Sequence, residues 1–195
     1  MIPDIEFDEV DKVRIIAWTN ERTHYYNDMV REAKGRDISK PFDLGDVVVV
    51  NEAYVRDDEV IFSTGSEVKI SNMLEGAHSE YPDLKVWHVT VTPGPSNLAF
   101  DVIHSDSKQA LKNKLQTIRN EAIRTQNWSP YYRLKEWFID LRQPYSLTAH
   151  KSQGSTFETV YVDFKDIYKN RKMAEADRCL YTAITRAAKK VIICY

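Results

Sequence analysis

Apolar and polar positions alternate in two different rhythms along this chain. Val13 to Thr19 (VRIIAWT) is a short β-branched apolar run, the pattern of a buried strand. Asn20 offers a capping side chain to a following helix, and Gly35 a stop. Within that helix Tyr26, Met29, Val30 and Ala33 recur at helical spacing, so core packing accounts for them. Pro41 to Gly45 marks a change of character. From Gly45 to about His104 short strands follow one another: GDVVVVNEAYV, EVIFS, EVKISNM, VWHVTV and LAFDVIHS. Asp57-Asp58, Gly65, Gly76, Pro82 and Pro93-Gly94-Pro95 punctuate them. Five short strands with tight turns predict a small barrel inserted into a larger fold. Ser107 to Gln126 then reads as a helix with Leu111, Leu115, Ile118 and Ala122 as its stripe, and Pro130 to Leu141 as a second, aromatic-rich helix ending before Pro144.

The last part of the chain returns to the first rhythm. YSLTAH and TVYVDF read as strands, Ala174 to Ala187 as a helix and KVIICY as a strand. With VRIIAWT this gives four apolar strands and intervening helices, the pattern of an α/β fold with a mostly parallel sheet. The expected organisation is one domain from residues 1–40 and 143–195, interrupted by an inserted domain over 41–142. The insertion divides into a barrel at about 41–105 and a helical extension at about 106–142.

Charge changes this picture only when it is divided along the chain. The 195 residues carry a net charge of −2. Residues 1–105 hold 10 Lys/Arg against 20 Asp/Glu, whereas 106–142 hold 8 against 4 and 143–195 hold 9 against 5. A basic C-terminal half is therefore hidden by an acidic first half, and an electrostatic footprint for a polyanion has a place to sit. The opening MIPDIEFDEVDK is acidic and lacks the order of a signal peptide, and no apolar run has the length of a membrane span. Cys179 and Cys194 have no metal-ligand spacing and read as reduced thiols of a cytoplasmic protein.

Two segments carry candidate chemistry. Thr148 and His150 alternate at the end of a predicted strand, Lys151-Ser152-Gln153-Gly154 forms a turn, and a second strand follows. Later, LYTAITRA puts Thr185 and Arg186 just before the final strand. Hydroxyls, amides and cations at strand ends hold phosphates. These segments resemble motifs V and VI of superfamily 1 DNA helicases, particularly the RecD-like and Dda-like branch with its UvrD-like C-terminal domain. IIAWTNERTHYYND resembles the segment called motif IVa of the same family.

The resemblance implies a second RecA-like domain (the P-loop NTPase type, with helices on both faces of its sheet) interrupted by a 2B barrel. It implies an ATP-dependent DNA helicase that moves on single-stranded DNA and unwinds duplex 5′-to-3′, in repair, replication or recombination. Arg186 would be the catalytic arginine finger at the γ-phosphate, with Gln153 and Gly154 beside the nucleotide. Thr19, Asn20, Thr148, His150 and Lys151 would hold the DNA backbone, while Asn27 ties down its helix. Thr156 stands where many relatives place a glutamate that meets the nucleotide sugar. Trp128, Tyr131, Tyr132 and Trp137 among Arg124, Arg133 and Lys135 resemble a strand-binding surface, and inward-packed aromatics of an amphipathic helix give the same pattern.

The chain has no G-x-x-x-x-G-K-[ST] phosphate loop, no acidic strand-end pair for Mg²⁺ and no metal-ligand cluster. By the resemblance, ATP with Mg²⁺ is bound jointly with a separate N-terminal RecA-like domain, and this chain alone is expected to be inactive. Single-stranded DNA and duplex junctions are the implied partners. Two other classes remain open at the level of sequence: a non-catalytic single-strand-binding module, and a degenerate subunit completing another protein's ATP site.

Overall fold

The computed structural model describes residues 12–56, 59–94 and 98–195. The acidic opening segment, Asp57-Asp58 and Pro95 lie outside the described residues. Two compact units are present, one formed by the chain up to Pro41 and from Gln143 onward, the other by Phe42–Arg142. β1 (Val13–Ala17) and α1 (Asn20–Ala33) open the first unit. The second holds β2 (Val47–Val50), β3 (Tyr54–Arg56), β4 (Glu59–Phe62), β5 (Glu67–Ala77), β6 (Lys85–Thr92) and β7 (Phe100–Ile103), then α2 (Lys108–Thr125), α3 (Ser129–Lys135) and β8 (Leu141–Arg142). The chain returns to the first unit with β9 (Ser146–Thr148), β10 (Phe157–Asp163), α4 (Phe164–Ile167), α5 (Met173–Ile184) and β11 (Ala187–Cys194).

The first unit is an α/β fold around a four-stranded sheet, ordered β11-β10-β1-β9, with every ladder parallel. β1 sits between strands that follow it by more than a hundred residues, with Ile15 opposite Tyr161 on one side and Ser146 on the other. Successive side chains point to opposite faces. Ile15, Ala17 and Tyr161 meet Tyr26 and Val30 of α1 on one face, and Ile16, Val160 and Val162 meet Ile167 of α4 and Ala176, Cys179 and Ala183 of α5 on the other. A sheet covered by helices on both faces needs apolar side chains at every position, which is why its strands read as unbroken runs. Ile16, Val160 and Val162 are completely buried, and each contributes roughly 1.5–3 kcal/mol by leaving water.

Several boundaries differ from the sequence reading. The cap of α1 is Thr19, whose backbone is extended and whose side-chain oxygen receives the Arg22 N–H at 3.2 Å, so Asn20 is already the first helical residue. Gly35 takes a left-handed φ of +68° just past the helix, where a side chain would be strained. α5 stops at Ile184 because Phe157 and Ala187 pair, which requires extended backbone by that point. α4 is one turn capped by Asp163, whose carboxylate accepts the Asp166 N–H at 3.0 Å. An element of four residues has no readable period.

The second unit carries a five-stranded antiparallel sheet, ordered β7-β6-β5-β2-β8, and a separate β3-β4 hairpin. Phe42, Val48, Val50, Val68, Ile70, Val89, Val91 and Phe100 lie in its core. Where a barrel is expected, the two edge strands share no ladder among the described residues, and one backbone bond runs from Ile139 N–H to Asp101 O (3.0 Å). The helix expected over Pro130–Leu141 is shorter. α3 ends at Lys135, and Leu141-Arg142 instead pairs with Val50 and Val49. Burial of Ile139 and Leu141 in the sheet core outweighs the local helical preference. No helix among the described residues is long and apolar enough to cross a membrane.

Candidate functional site

All strands of a parallel sheet end at the same edge, so the topology fixes where each candidate lies. At the carboxyl edge Ala17 pairs with Thr148. Thr19 and His150 each stand two residues beyond that pair, on adjacent strand exits. Thr148 itself is buried, and its hydroxyl receives the Lys151 N–H at 3.4 Å. β9 ends at Thr148, so His150 is a turn residue rather than the next same-face strand position. It is exposed, as are Asn20 and Lys151. Thr148 and His150 therefore differ in burial despite their i, i+2 spacing.

Thr19 is held from within. Its N–H donates to Asp166 Oδ2 at 2.8 Å, its hydroxyl lies 3.1 Å from both carboxylate oxygens, and the Trp18 N–H also reaches Oδ2 at 2.9 Å. Asp166 is 1% exposed. One buried carboxylate thus fills the role of an anion at the amino end of α1, where the backbone N–H groups and helix dipole favour negative charge. Asn27 is buried and bonds both ways with the Ser146 backbone, accepting its N–H at 2.8 Å and donating to its carbonyl at 3.4 Å. It fixes α1 to β9.

Beside this lies a second buried acid. Asp163 Oδ2 accepts from Arg22 Nε at 2.6 Å and from the Tyr26 hydroxyl at 2.7 Å, and Arg22 Nη2 donates to that hydroxyl at 3.1 Å. Burial opposes ionisation of Asp163, but bonds from Arg22, the Asp166 N–H and Tyr26 outweigh it and hold the carboxyl below its usual value. Burial, with the Asp163 bond second, pushes the Tyr26 hydroxyl well up. An acid with a depressed folded pKa contributes stability that is complete above its unfolded pKa and is lost as pH falls through the folded one. Asp163→Asn is therefore expected to flatten the acid limb of the stability curve below about pH 4. Urea unfolding from pH 7 to pH 3 measures this; identical pH slopes for both proteins would contradict it.

At the opposite, amino edge, β10 and β11 begin side by side, with Phe157 paired to Ala187 and the Phe157 N–H donating to Arg186 O at 2.8 Å. Arg186 Nη1 donates to Ser155 O at 3.2 Å, Nε to Thr182 O at 3.2 Å and Nη2 to Thr185 Oγ1 at 3.1 Å. The guanidinium, half-buried, thus lies against the turn that carries Gln153 and Gly154. Gly154 has φ +90° with no atom within 4 Å of where a β-carbon would stand, so its requirement is backbone conformation rather than space. Ser152, wholly buried, ties the turn together through its hydroxyl to Ala149 O at 2.7 Å. From Phe157 to Asp163 the sheet measures roughly 20 Å at ~3.3 Å per residue. Arg186 stands at the amino edge of β11 and Thr19 and Asn20 at the carboxyl edge of β1, whereas His150, Gln153 and Gly154 belong to the one turn that joins β9 to β10, the Gln153 N–H donating to His150 O at 3.3 Å.

Sequence reasoning missed Asp163, Asp166 and Arg22. The only local trace is the Asp-x-x-Asp spacing after an apolar strand, a cap signal for α4. Tyr181 and Leu180 look like core from the sequence, yet Tyr181 is 72% exposed on α5 while Leu180 packs against the core. Cys179 is buried, Cys194 half-buried, and both are free thiols. Among the described residues no group of three or more His, Cys, Asp or Glu could hold a metal ion.

Comparisons with known proteins bear on the same segments. Residues 144–194 match the family model of the UvrD-like helicase C-terminal domain. An uncharacterized protein of Acanthamoeba polyphaga mimivirus is 36% identical over 85 residues, covering 43% of this chain and 17% of that protein. The ATP-dependent DNA helicase dda of Enterobacteria phage T4 is 24% identical over 92% of this chain and 46% of its own length. The crystal structure of Pif1 helicase from Candida albicans aligns over 97% of this chain and 46% of that one, with 14% identity and a TM-score of 0.44. The chain thus spans less than half the length of the curated relatives it matches. Residues 144–194, the segment that is similar to the UvrD-like helicase C-terminal domain, hold β9, β10, α5, β11 and both predicted motifs.

Proposed function

We propose that this chain is the second motor domain of an ATP-dependent DNA helicase that moves 5′-to-3′ on single-stranded DNA and unwinds duplex. The observation that supports this reading best is one turn with two ends: it leaves β9 at the carboxyl edge with Thr148, His150 and Lys151 beside the Thr19–Asn20 exit, and its far end at Ser155 receives Arg186 from the start of β11. On this reading ATP lies between the amino edge and an N-terminal RecA-like domain carrying the phosphate loop. Arg186 fits the γ-phosphate there, because a guanidinium is always charged and forks onto two oxygens. Gln153 and Gly154 line the same side. Bound nucleotide with Mg²⁺ supplies the phosphoryl chemistry, and the metal is held by the partner domain and the phosphates. What this chain contributes is position and positive charge. Charge developing on the transferred group is met by Arg186 once the two domains close.

At the carboxyl edge, Asn20, His150 and Lys151 hold the backbone of the strand, with Thr148 and Thr19 shaping the turns that present them. The Asp166 bond moves Thr19 from a direct phosphate contact toward this supporting role. Cleft closure at one edge shifts the other, which is the coupling a stepping motor needs. The site of action on this reading is cytoplasmic DNA, at junctions of single strand and duplex.

His150 gives the test. In the assembled motor, His150→Ala is expected to weaken single-strand binding about 3- to 10-fold, the size of one hydrogen bond, and to lower DNA-stimulated ATP hydrolysis while basal hydrolysis stays. Fluorescence anisotropy with a labelled dT15 strand and a coupled ATPase assay measure the two. Unchanged affinity together with unchanged DNA stimulation would remove His150 from the DNA track.

A further inference from the structure

The second unit exposes a group of aromatic rings that its core does not use. α2 ends at Gln126, which takes a left-handed φ of +58° and turns the chain so that Trp128 leads into α3. Only Leu134 of α3 is buried. Trp128 is 36% and Tyr132 47% exposed, with Tyr131 half-buried between them. The three rings contact one another, Trp128 to Tyr131 at 5.8 Å, Trp128 to Tyr132 at 6.2 Å and Tyr131 to Tyr132 at 5.3 Å between centroids. Lys135 Nζ lies 6.0 Å from both tyrosine rings. Trp137, by contrast, is committed inward, its Nε1 donating to Asp101 at 2.7 Å. The four aromatics grouped by sequence thus separate into one anchor and three rings that face solvent or each other.

We propose that Trp128, Tyr131 and Tyr132 form a stacking platform for the bases of single-stranded DNA. Two features favour a nucleic acid over a protein partner. The stretch 106–142 that presents the rings carries 8 Lys/Arg against 4 Asp/Glu. Two of those acids are already paired with cations of the same stretch, Glu121 with Arg124 and Asp140 with Arg142. Glu80, outside that stretch, pairs with Arg133. The ring group itself keeps Lys135 beside it. Aromatic faces with a local cation excess bind bases by stacking and the backbone by charge, without sequence preference. A protein-docking patch would be depleted in charge, lysine included, at its centre. The choice of DNA rests on the motor reading above; the stacking does not.

The test uses the full chain without ATP, so that its failure leaves the motor reading standing and failure of ATP coupling leaves this surface standing. Binding of dT15 is measured by anisotropy for the wild type, Trp128→Ala/Tyr132→Ala and Trp128→Phe/Tyr132→Phe, with far-ultraviolet circular dichroism to check folding. The alanine pair is expected to bind at least about 10-fold more weakly, and the phenylalanine pair within about 3-fold of wild type, since a π-face persists in the latter. Photocrosslinking of a 5-iodouracil dT15 analogue to the wild type, mapped by mass spectrometry, is expected to label the peptide containing Trp128 to Tyr132. An alanine pair that binds like wild type, a wild type without measurable affinity for dT15, or crosslinks confined to the first unit would each overturn the proposal. If the alanine pair misfolds, the phenylalanine pair and the crosslink map still decide.

Discussion

Arg186→Ala is expected to reduce ATP hydrolysis by the assembled motor about 10³-fold or more, the size of effect an arginine finger has on phosphoryl transfer. Single-strand affinity is expected to stay unchanged, because Arg186 stands at the amino edge of β11 and the proposed DNA contacts at the carboxyl edge of β1 and β9. The three bonds the Arg186 guanidinium makes go to Ser155 O, Thr182 O and Thr185 Oγ1, all neutral acceptors, so no carboxylate among the described residues is bonded to it. Arg186→Lys separates chemistry from packing. A lysine keeps the charge but cannot fork onto two oxygens, so it is expected to fall near the alanine variant in turnover while matching wild type in thermal stability. Single-turnover hydrolysis with and without dT15 measures this. Loss of DNA affinity in parallel with turnover would count against separate edges.

The second large effect concerns structure. Asp166→Ala is expected to cost about 3 kcal/mol, because it strands the Trp18 and Thr19 N–H groups and the Thr19 hydroxyl beside a buried void. Asp166→Asn keeps one acceptor oxygen for the two amides and is expected to cost about half as much. Hydrogen exchange reads the site directly: protection of the Trp18 and Thr19 amides should fall sharply in the alanine variant and partly in the asparagine variant. Protection equal to wild type in both would show that the carboxylate does not hold this turn. The same loss should weaken DNA binding only through disorder of the Thr19–Asn20 exit, so stabilising osmolyte should restore part of it.

What the chain discloses in advance follows from range. The runs VRIIAWT and TVYVDF disclose buried parallel strands, because a sheet covered on both faces asks the same thing of every residue along it. Thr148, His150, Gly154 and Arg186 are legible because short-range spacing places them at strand ends. The Asp166–Thr19 bond joins residues 147 positions apart, and nothing in either neighbourhood marks the other. The acceptor for Arg186 at Ser155 is a backbone carbonyl, which has no signature in sequence at all. β8 shows the reverse error: Leu141 sits at the end of a stretch with helical preference, and its pairing with Val50 is decided by a core assembled from the other side of the insertion. Tyr181 shows a third kind, an aromatic that looks like core and that α5 leaves open to solvent.

ATP hydrolysis by the purified chain, by a helicase N-terminal domain bearing a phosphate loop, and by their mixture, each with and without dT15, tests the central claim most directly. Turnover only in the mixture, raised by dT15 and abolished there by Arg186→Ala, is the predicted result. Robust turnover by this chain alone, or a mixture indifferent to Arg186, would contradict it.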